Sequence, residues 1–230
     1  MQRLSNPQII LALDVDTLKS VVDFVDKLYP KIKIFKVGSQ LFTAYGPKIV
    51  DLLHKKGAEV FLDLKYFDIP NTVAKAVAAA TRLKVKMLTL HISGGAEMIQ
   101  AAVFAAHAQA DAISCLRPLL IGVTVLTSSV AKSKDVLELA KKGIANGLDG
   151  IVCSSQEANL IRNKTKKDFM IITPGIRLSQ VIDDQKRTAT VKQAVKAGSD
   201  FLVIGRPILT SKDPLKTTEE ILGDLYGARN

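Results

Sequence analysis

The strongest constraint on the fold of this chain is a repeated alternation of two kinds of segment. Eight short runs rich in β-branched and apolar residues alternate with longer stretches of helical period. The runs are Gln8 to Asp14, Ile32 to Val37, Glu59 to Lys65, Lys86 to Ile92, Leu119 to Leu126, Gly150 to Cys153, Phe169 to Thr173 and Asp200 to Ile204. Strands that alternate with helices build a parallel sheet. Eight units in 230 residues leave about 29 residues per unit, the spacing of a closed barrel. The sequence therefore predicts an α/β fold, a single (β/α)8 TIM barrel. An open doubly wound sheet usually carries G-x-G-x-x-G after its first strand, and here that position reads Asp14-Val15-Asp16-Thr17. Helix punctuation agrees with the alternation. Asp16 or Thr17 caps the first helix, Gly57 and Gly147 stop helices, and Pro70 opens one at a permitted first-turn position. The helix after the second run is expected to continue to Lys56, and the last to begin at Pro207 or Asp213.

No Gly/Ser linker, low-complexity stretch or shift of composition divides the chain, so residues 1–230 are expected to form one domain. An apolar content of 47% supplies a sizeable core and excludes disorder as the main state. The longest apolar stretch, Pro118 to Leu126, falls far short of the ~20 residues a membrane span needs. The apolar run Ile9 to Leu13 is too short for a signal peptide and leads into Asp14 and Asp16. A cytoplasmic protein without a membrane partner is expected. Two cysteines, Cys115 and Cys153, make neither a disulfide framework nor a metal cluster; they read as small core residues in a reducing compartment. Thirty-two basic against 22 acidic residues give a net charge of +10, which suits nucleic acid, a membrane surface or a small anion. Aromatics are 5% and Trp is absent, so base-stacking platforms are scarce and no nucleic-acid partner is expected. The cluster Lys164, Lys166, Lys167 reads as a solvated helix end. One substrate site does not by itself account for the basic excess, which could also steer an anionic substrate.

In such a barrel the chemistry sits at the C-terminal ends of the strands. The polar residues there are Asp14, Lys36, Asp63, Lys65, His91, Thr127, the Pro174-Gly175-Ile176-Arg177 turn and Gly205-Arg206. Charge converging on one mouth is costly unless it is paired. Asp63 and Lys65 stand two apart on one strand and face the same side, with Asp68 three residues on. With Lys36 they alternate carboxylate and ammonium, and the flanking opposite charge keeps Lys65 protonated. An ammonium held in a dry mouth can stabilise a carbanion and then protonate it. A purely structural ion-pair network is the rival reading, and it weakens once Asp14 and Lys36 join the array. The loops after strands seven and eight commonly grip phosphate. Here they offer Gly175 with Arg177, and Gly205 with Arg206, a close-approach backbone beside a planar fork of donors. The stretch Leu178 to Thr190, with Gln185, is long for a connection and reads as a lid or a plain surface excursion. His91 alone reads more readily as a hydrogen-bonded core residue than as a ligand. His54 and His107 receive no role, and no spacing of His, Asp and Glu forms a metal site.

At this point the residues resemble a known family. Asp63-x-Lys65-x-x-Asp68-Ile69-Pro70-Asn71-Thr72 is similar to the signature of the orotidine 5′-phosphate decarboxylases. Leu11-Ala12-Leu13-Asp14, Phe35-Lys36-Val37-Gly38, Leu90-His91, Pro174-Gly175-Ile176-Arg177, Asp184-Gln185-x-Arg187 and Val203-x-Gly205-Arg206-Pro207-Ile208 match in the same order. The resemblance covers about Ile9 to Ile208 and implies conversion of orotidine 5′-monophosphate to UMP and CO2, the last step of de novo pyrimidine nucleotide synthesis. It implies Lys65, Asp63, Asp68 and Lys36 as the catalytic array. Asp14 and Lys36 would bind ribose hydroxyls, and Thr127 the pyrimidine. Arg177, Gln185, Gly205 and Arg206 would grip phosphate, with Gln185 also touching the base. Asp68 and Thr72 would reach the neighbouring subunit's site in a homodimer. Magnesium-dependent sugar-phosphate lyases share Asp-x-Lys-x-x-Asp but typically carry Glu where this chain has Lys36, so the resemblance implies the enzyme without metal or cofactor; the lyase is the alternative. The chain departs from the family at Asp183, where Gly usually precedes the Asp-Gln pair, and its lid is about one residue short of some relatives.

Overall fold

The same two-residue alternation that marks the runs as strands sorts their side chains into two cores. In the computed structural model, which describes residues 6–126, 132–165, 168–178 and 188–228, the strands are β1 (Gln8–Ala12), β2 (Ile34–Gly38), β3 (Glu59–Tyr66), β4 (Met87–His91), β5 (Leu119–Val123), β6 (Gly150–Val152), β7 (Met170–Thr173) and β8 (Phe201–Ile204). Each pairs in parallel with the next, and β8 pairs with β1 to close the barrel. Ile10, Ile34, Phe61, Met87, Ile172 and Phe201 fill the interior. Their neighbours Leu11, Phe35, Leu62, Leu88, Ile171 and Leu202 face outward into a second core beneath the helices. Strands buried on both faces read as nearly continuous apolar runs, which is why the barrel is legible in the sequence.

The helices follow from local signals. Thr17, not Asp16, caps α1 (Leu18–Leu28), its hydroxyl accepting the Ser20 N–H at 3.1 Å. The single helix expected between β2 and β3 is two, α2 (Ser39–Tyr45) and α3 (Lys48–Lys55). Gly46 sits at φ +58° and Pro47 has no N–H to donate, so the ladder cannot run through. Then follow α4 (Pro70–Arg82), α5 (Gly95–Ala112), α6 (Ser133–Ala145), α7 (Ser155–Lys164) and α8 (Val191–Lys196). Both expected starts of the last helix are used: Pro207 lies in the short α9 (Arg206–Leu209), and Asp213 caps α10 (Pro214–Gly227) by accepting the Lys216 N–H at 3.0 Å.

The face opposite the predicted site is stitched by partly buried ion pairs. Arg117 grips both oxygens of Asp149 at 2.7 Å, and Arg162 reaches Asp200 at 2.6 Å. Both carboxylates also accept backbone N–H groups at strand starts, from Leu120 and Ile171. Charge at this end serves stability. Cys153 is buried, as expected, but Cys115 is only half-buried, in the connection before β5 rather than in the core. Among the described residues no helix is long and apolar enough to cross a membrane.

Candidate active site

The alternation that fills the barrel also builds its mouth. Ala12, Ile34 and Phe61 point inward, so two residues further along the inward positions are Asp14, Lys36 and Asp63. With Lys65 they line a cavity of about 550 Å³ at the C-terminal end of the barrel. That volume lies within the range of small-ligand sites. Asp63 is the hub, 9% exposed. Its Oδ2 accepts from Lys65 Nζ at 2.9 Å and lies 3.7 Å from Lys36 Nζ. Lys36 also donates to Asp14 Oδ1 at 3.2 Å. The other Asp63 oxygen, Oδ1, accepts from the Thr89 hydroxyl at 2.9 Å. Burial alone would raise the Asp63 carboxyl. The charges of Lys36 and Lys65, with hydrogen bonds from Lys65 and Thr89, outweigh it and hold the group below its ordinary 3.8. Asp63 is thus a carboxylate at neutral pH, wedged between two ammonium groups.

Lys65 reaches the same side as Asp63, as the spacing predicts, but not along a regular strand. The register of β3 on β4 steps from Leu62–Leu88 to Tyr66–Leu90, so Asp63, Leu64 and Lys65 stand opposite Thr89 alone. Such a bulge re-aims a side chain. Lys65 takes a left-handed backbone, φ +53°, at a cost of about 1–2 kcal/mol for a residue with a Cβ. Its N–H donates to Thr89 Oγ1 at 2.9 Å. Sequence reasoning does not single out Thr89, although one signal is present: a lone hydroxyl in Met87-Leu88-Thr89-Leu90.

Across the mouth the rim is formed by the two predicted anion-binding turns. Gly175, at φ +75°, and the buried Arg177 come from the loop after β7, and Gly205 and Arg206 from the loop after β8; all four line the cavity. A Cβ on Gly205 would come within 3.6 Å of Asp14 Oδ2, so a side chain there would grow into the mouth. Val123, Val152, Ile172 and Val203 supply an apolar wall. One cavity therefore joins an alternating charge array, an apolar surface and a cationic rim. An anion with an apolar portion fits that combination.

Asp68 and Thr72 are not brought into this cavity. Both are exposed where β3 leads into α4, and Asp68 Oδ1 accepts the N–H of its neighbour Ile69. Phe67 and Ile69, on either side of Asp68, are 61% and 66% exposed. His91 ends β4 half-buried, its ring edge-on to Phe67 at 5.7 Å between centroids. Burial pulls it below the ordinary 6.5, Lys65 adds to that, and Asp63 opposes it. Thr127 and Gln185, with Asp183 and Asp184, lie outside the described residues. The roots of the long connection are described: Ile176–Arg177 pairs in parallel with Ala189–Thr190.

Comparison with known proteins fits this geometry. The family described as "Orotidine 5'-phosphate decarboxylase / HUMPS family" matches residues 7–221. The orotidine 5′-phosphate decarboxylase of Saccharophagus degradans is 44% identical, with 98% of each chain covered. That of Trichlorobacter lovleyi is 46% identical, with 95% of each covered. The crystal structure of orotidine 5′-phosphate decarboxylase from Lactobacillus acidophilus superposes with a TM-score of 0.84 at 33% identity, covering 96% of this chain and 99% of that one. With the barrel, the charged mouth and matches that run almost end to end, this chain belongs to the orotidine 5′-phosphate decarboxylase family and is an enzyme of the carboxy-lyase class.

Proposed function

We propose that this enzyme converts orotidine 5′-monophosphate to UMP and CO2 in the cytoplasm, with the Lys65 ammonium as the acid. The observation that carries the reading is the position of Asp63, ionised between Lys65 and Lys36 in the barrel mouth. The substrate's ring carboxylate would lie against this array. Beside a fixed carboxylate that group is disfavoured, and its loss as neutral CO2 relieves the repulsion. The electron pair left on the ring carbon is stabilised by the ammonium, which then donates a proton to it and becomes an amine; water restores the proton. Asp14 and Lys36 hold the ribose hydroxyls. Arg177, Gly205 and Arg206 hold the phosphate, and Thr127 and Gln185 take the roles that the resemblance gives them. The phosphate is remote from the reacting carbon, so its binding energy can be used to order the site. A divalent cation between Asp14 and Asp63 would face the Lys36 ammonium already paired with both, which supports the metal-free reading over the sugar-phosphate lyase. The exposed Phe67 and Ile69 around Asp68 are an apolar surface suited to a second copy of the chain. They support a homodimer in which Asp68 and Thr72 complete the neighbouring site.

The test follows the orotate absorbance of orotidine 5′-monophosphate with purified protein in excess EDTA. Loss of the chromophore with UMP formation is expected. Lys65→Ala should abolish it while UMP still binds. Silence in EDTA, with Mg²⁺-dependent turnover of a sugar phosphate, would replace this reading by the lyase.

A further inference from the structure

We propose that Thr89 is a positioning residue for Lys65 and Asp63 in the decarboxylation. The inference rests on the assignment of Lys65 as the acid. Thr89 is fully buried and stands alone opposite the three bulged residues of β3. Its hydroxyl closes a ring. It accepts the Lys65 N–H at 2.9 Å and lies 2.9 Å from Asp63 Oδ1, while Asp63 Oδ2 accepts from Lys65 Nζ at 2.9 Å.

The direction of each bond is fixed by chemistry. An amide N–H can only donate, so the hydroxyl accepts there. An ionised carboxylate can only accept, so the hydroxyl's own proton points to Asp63. One small group thus holds two things. It pairs a backbone N–H that the bulge has removed from the β3–β4 ladder, at the residue whose left-handed backbone aims the ammonium. It also takes one oxygen of Asp63, so the carboxylate cannot rotate about its last bond and the other oxygen stays on the two ammonium groups. Without the hydroxyl both constraints go together. The phosphate rim comes from the loops after β7 and β8, away from β3 and β4, so the grip on phosphate, the larger part of nucleotide affinity, does not depend on either.

Thr89→Val keeps the shape and removes the hydroxyl; Thr89→Ala removes it without placing a methyl in its position; Thr89→Ser keeps it. Misplacing a reacting group by about 1 Å can cost about 100-fold in rate. Thr89→Val and Thr89→Ala are expected to lower kcat about 10- to 100-fold with UMP affinity within about threefold of the unaltered enzyme, and Thr89→Ser to restore kcat to within about threefold. Kinetics on orotidine 5′-monophosphate, UMP titration calorimetry and thermal unfolding are run together, with Lys65→Ala as the reference. A kcat unchanged in both hydroxyl-free variants would overturn the proposal, as would UMP affinity falling in step with kcat, or Ser failing as badly as Val. If Lys65→Ala itself keeps turnover, the assignment of the acid fails. If it is inactive and Thr89→Val is not impaired, only the role of Thr89 fails.

Discussion

Asp63→Asn tests the array at its hub. The substitution keeps the shape, turns one of the two acceptor oxygens into an NH2 donor, which can face the Thr89 hydroxyl, and removes the one negative charge shared by two ammonium groups. Both nitrogens sit on the same carboxylate oxygen, at 2.9 and 3.7 Å, so they are no more than 6.6 Å apart, the sum of the two distances. Two unit charges at that distance repel by about 2.5 kcal/mol at an effective dielectric constant of ~20. The Lys65 side chain is 37% exposed, and solvent screening trims this to about 1.5–2 kcal/mol. In the proposed mechanism that energy pushes Lys65 away from the place it would occupy when the carbanion forms. A rate loss of at least about 10- to 30-fold follows, since 1.36 kcal/mol is a factor of ten. The same change removes repulsion toward the substrate's carboxylate, so ground-state binding should hold or tighten. The expected signature is a fall in kcat with KM unchanged or lower. It is read from the orotate absorbance, with UMP calorimetry for binding and thermal unfolding to show that the barrel is intact. A kcat within about threefold of the unaltered enzyme would refute the electrostatic argument. So would a large rise in KM at constant kcat, because it would make Asp63 a binding group only.

Arg206→Ala should lower kcat/KM for the phosphorylated substrate by about 10- to 150-fold, the loss of one charge-assisted hydrogen bond or slightly more at ~1.5–3 kcal/mol each. It should matter little for the nucleoside lacking phosphate; equal losses on both would remove Arg206 from the phosphate site. If the proposed dimer shares its sites, neither Lys65→Ala nor Asp68→Ala should turn over alone, yet mixed and re-equilibrated they should regain activity, because one site of each mixed dimer would hold both native residues. No recovery in a mixture shown by native mass spectrometry to contain mixed dimers would rule out the shared site. Burial holds His54 and His91 below their ordinary 6.5, so the unfolded chain takes up protons at these positions before the folded one does. Stability should be full above about pH 6.5 and decline as the pH falls below it toward the folded-state values. Urea midpoints at pH 8 and 5.5 measure this, and His54→Gln should flatten the difference; equal midpoints for the unaltered enzyme would contradict it.

Much of this enzyme is determined by the sequence alone. Eight apolar runs separated by helical stretches leave few ways to bury every strand on both faces, and closing the sheet is the simplest of them. The period of two then carries inward-facing Ala12, Ile34 and Phe61 on to Asp14, Lys36 and Asp63, so the charged mouth can be read from local spacing. Turn chemistry likewise marks Gly175 with Arg177, and Gly205 with Arg206, as one rim. Other features depend on contacts that spacing does not encode. The break at Gly46-Pro47 is local and could have been read; the bulge in β3 could not, because it exists only as a register against β4. Lys65 faces Asp63 through a left-handed backbone held by a hydroxyl 24 residues away. Asp63 stays ionised in spite of its burial because Lys36 arrives from another strand. Sequence periodicity fixes which face a side chain takes, since that is a property of one strand. Which groups meet there, and in what state of charge, is decided by how neighbouring strands are staggered when the barrel closes.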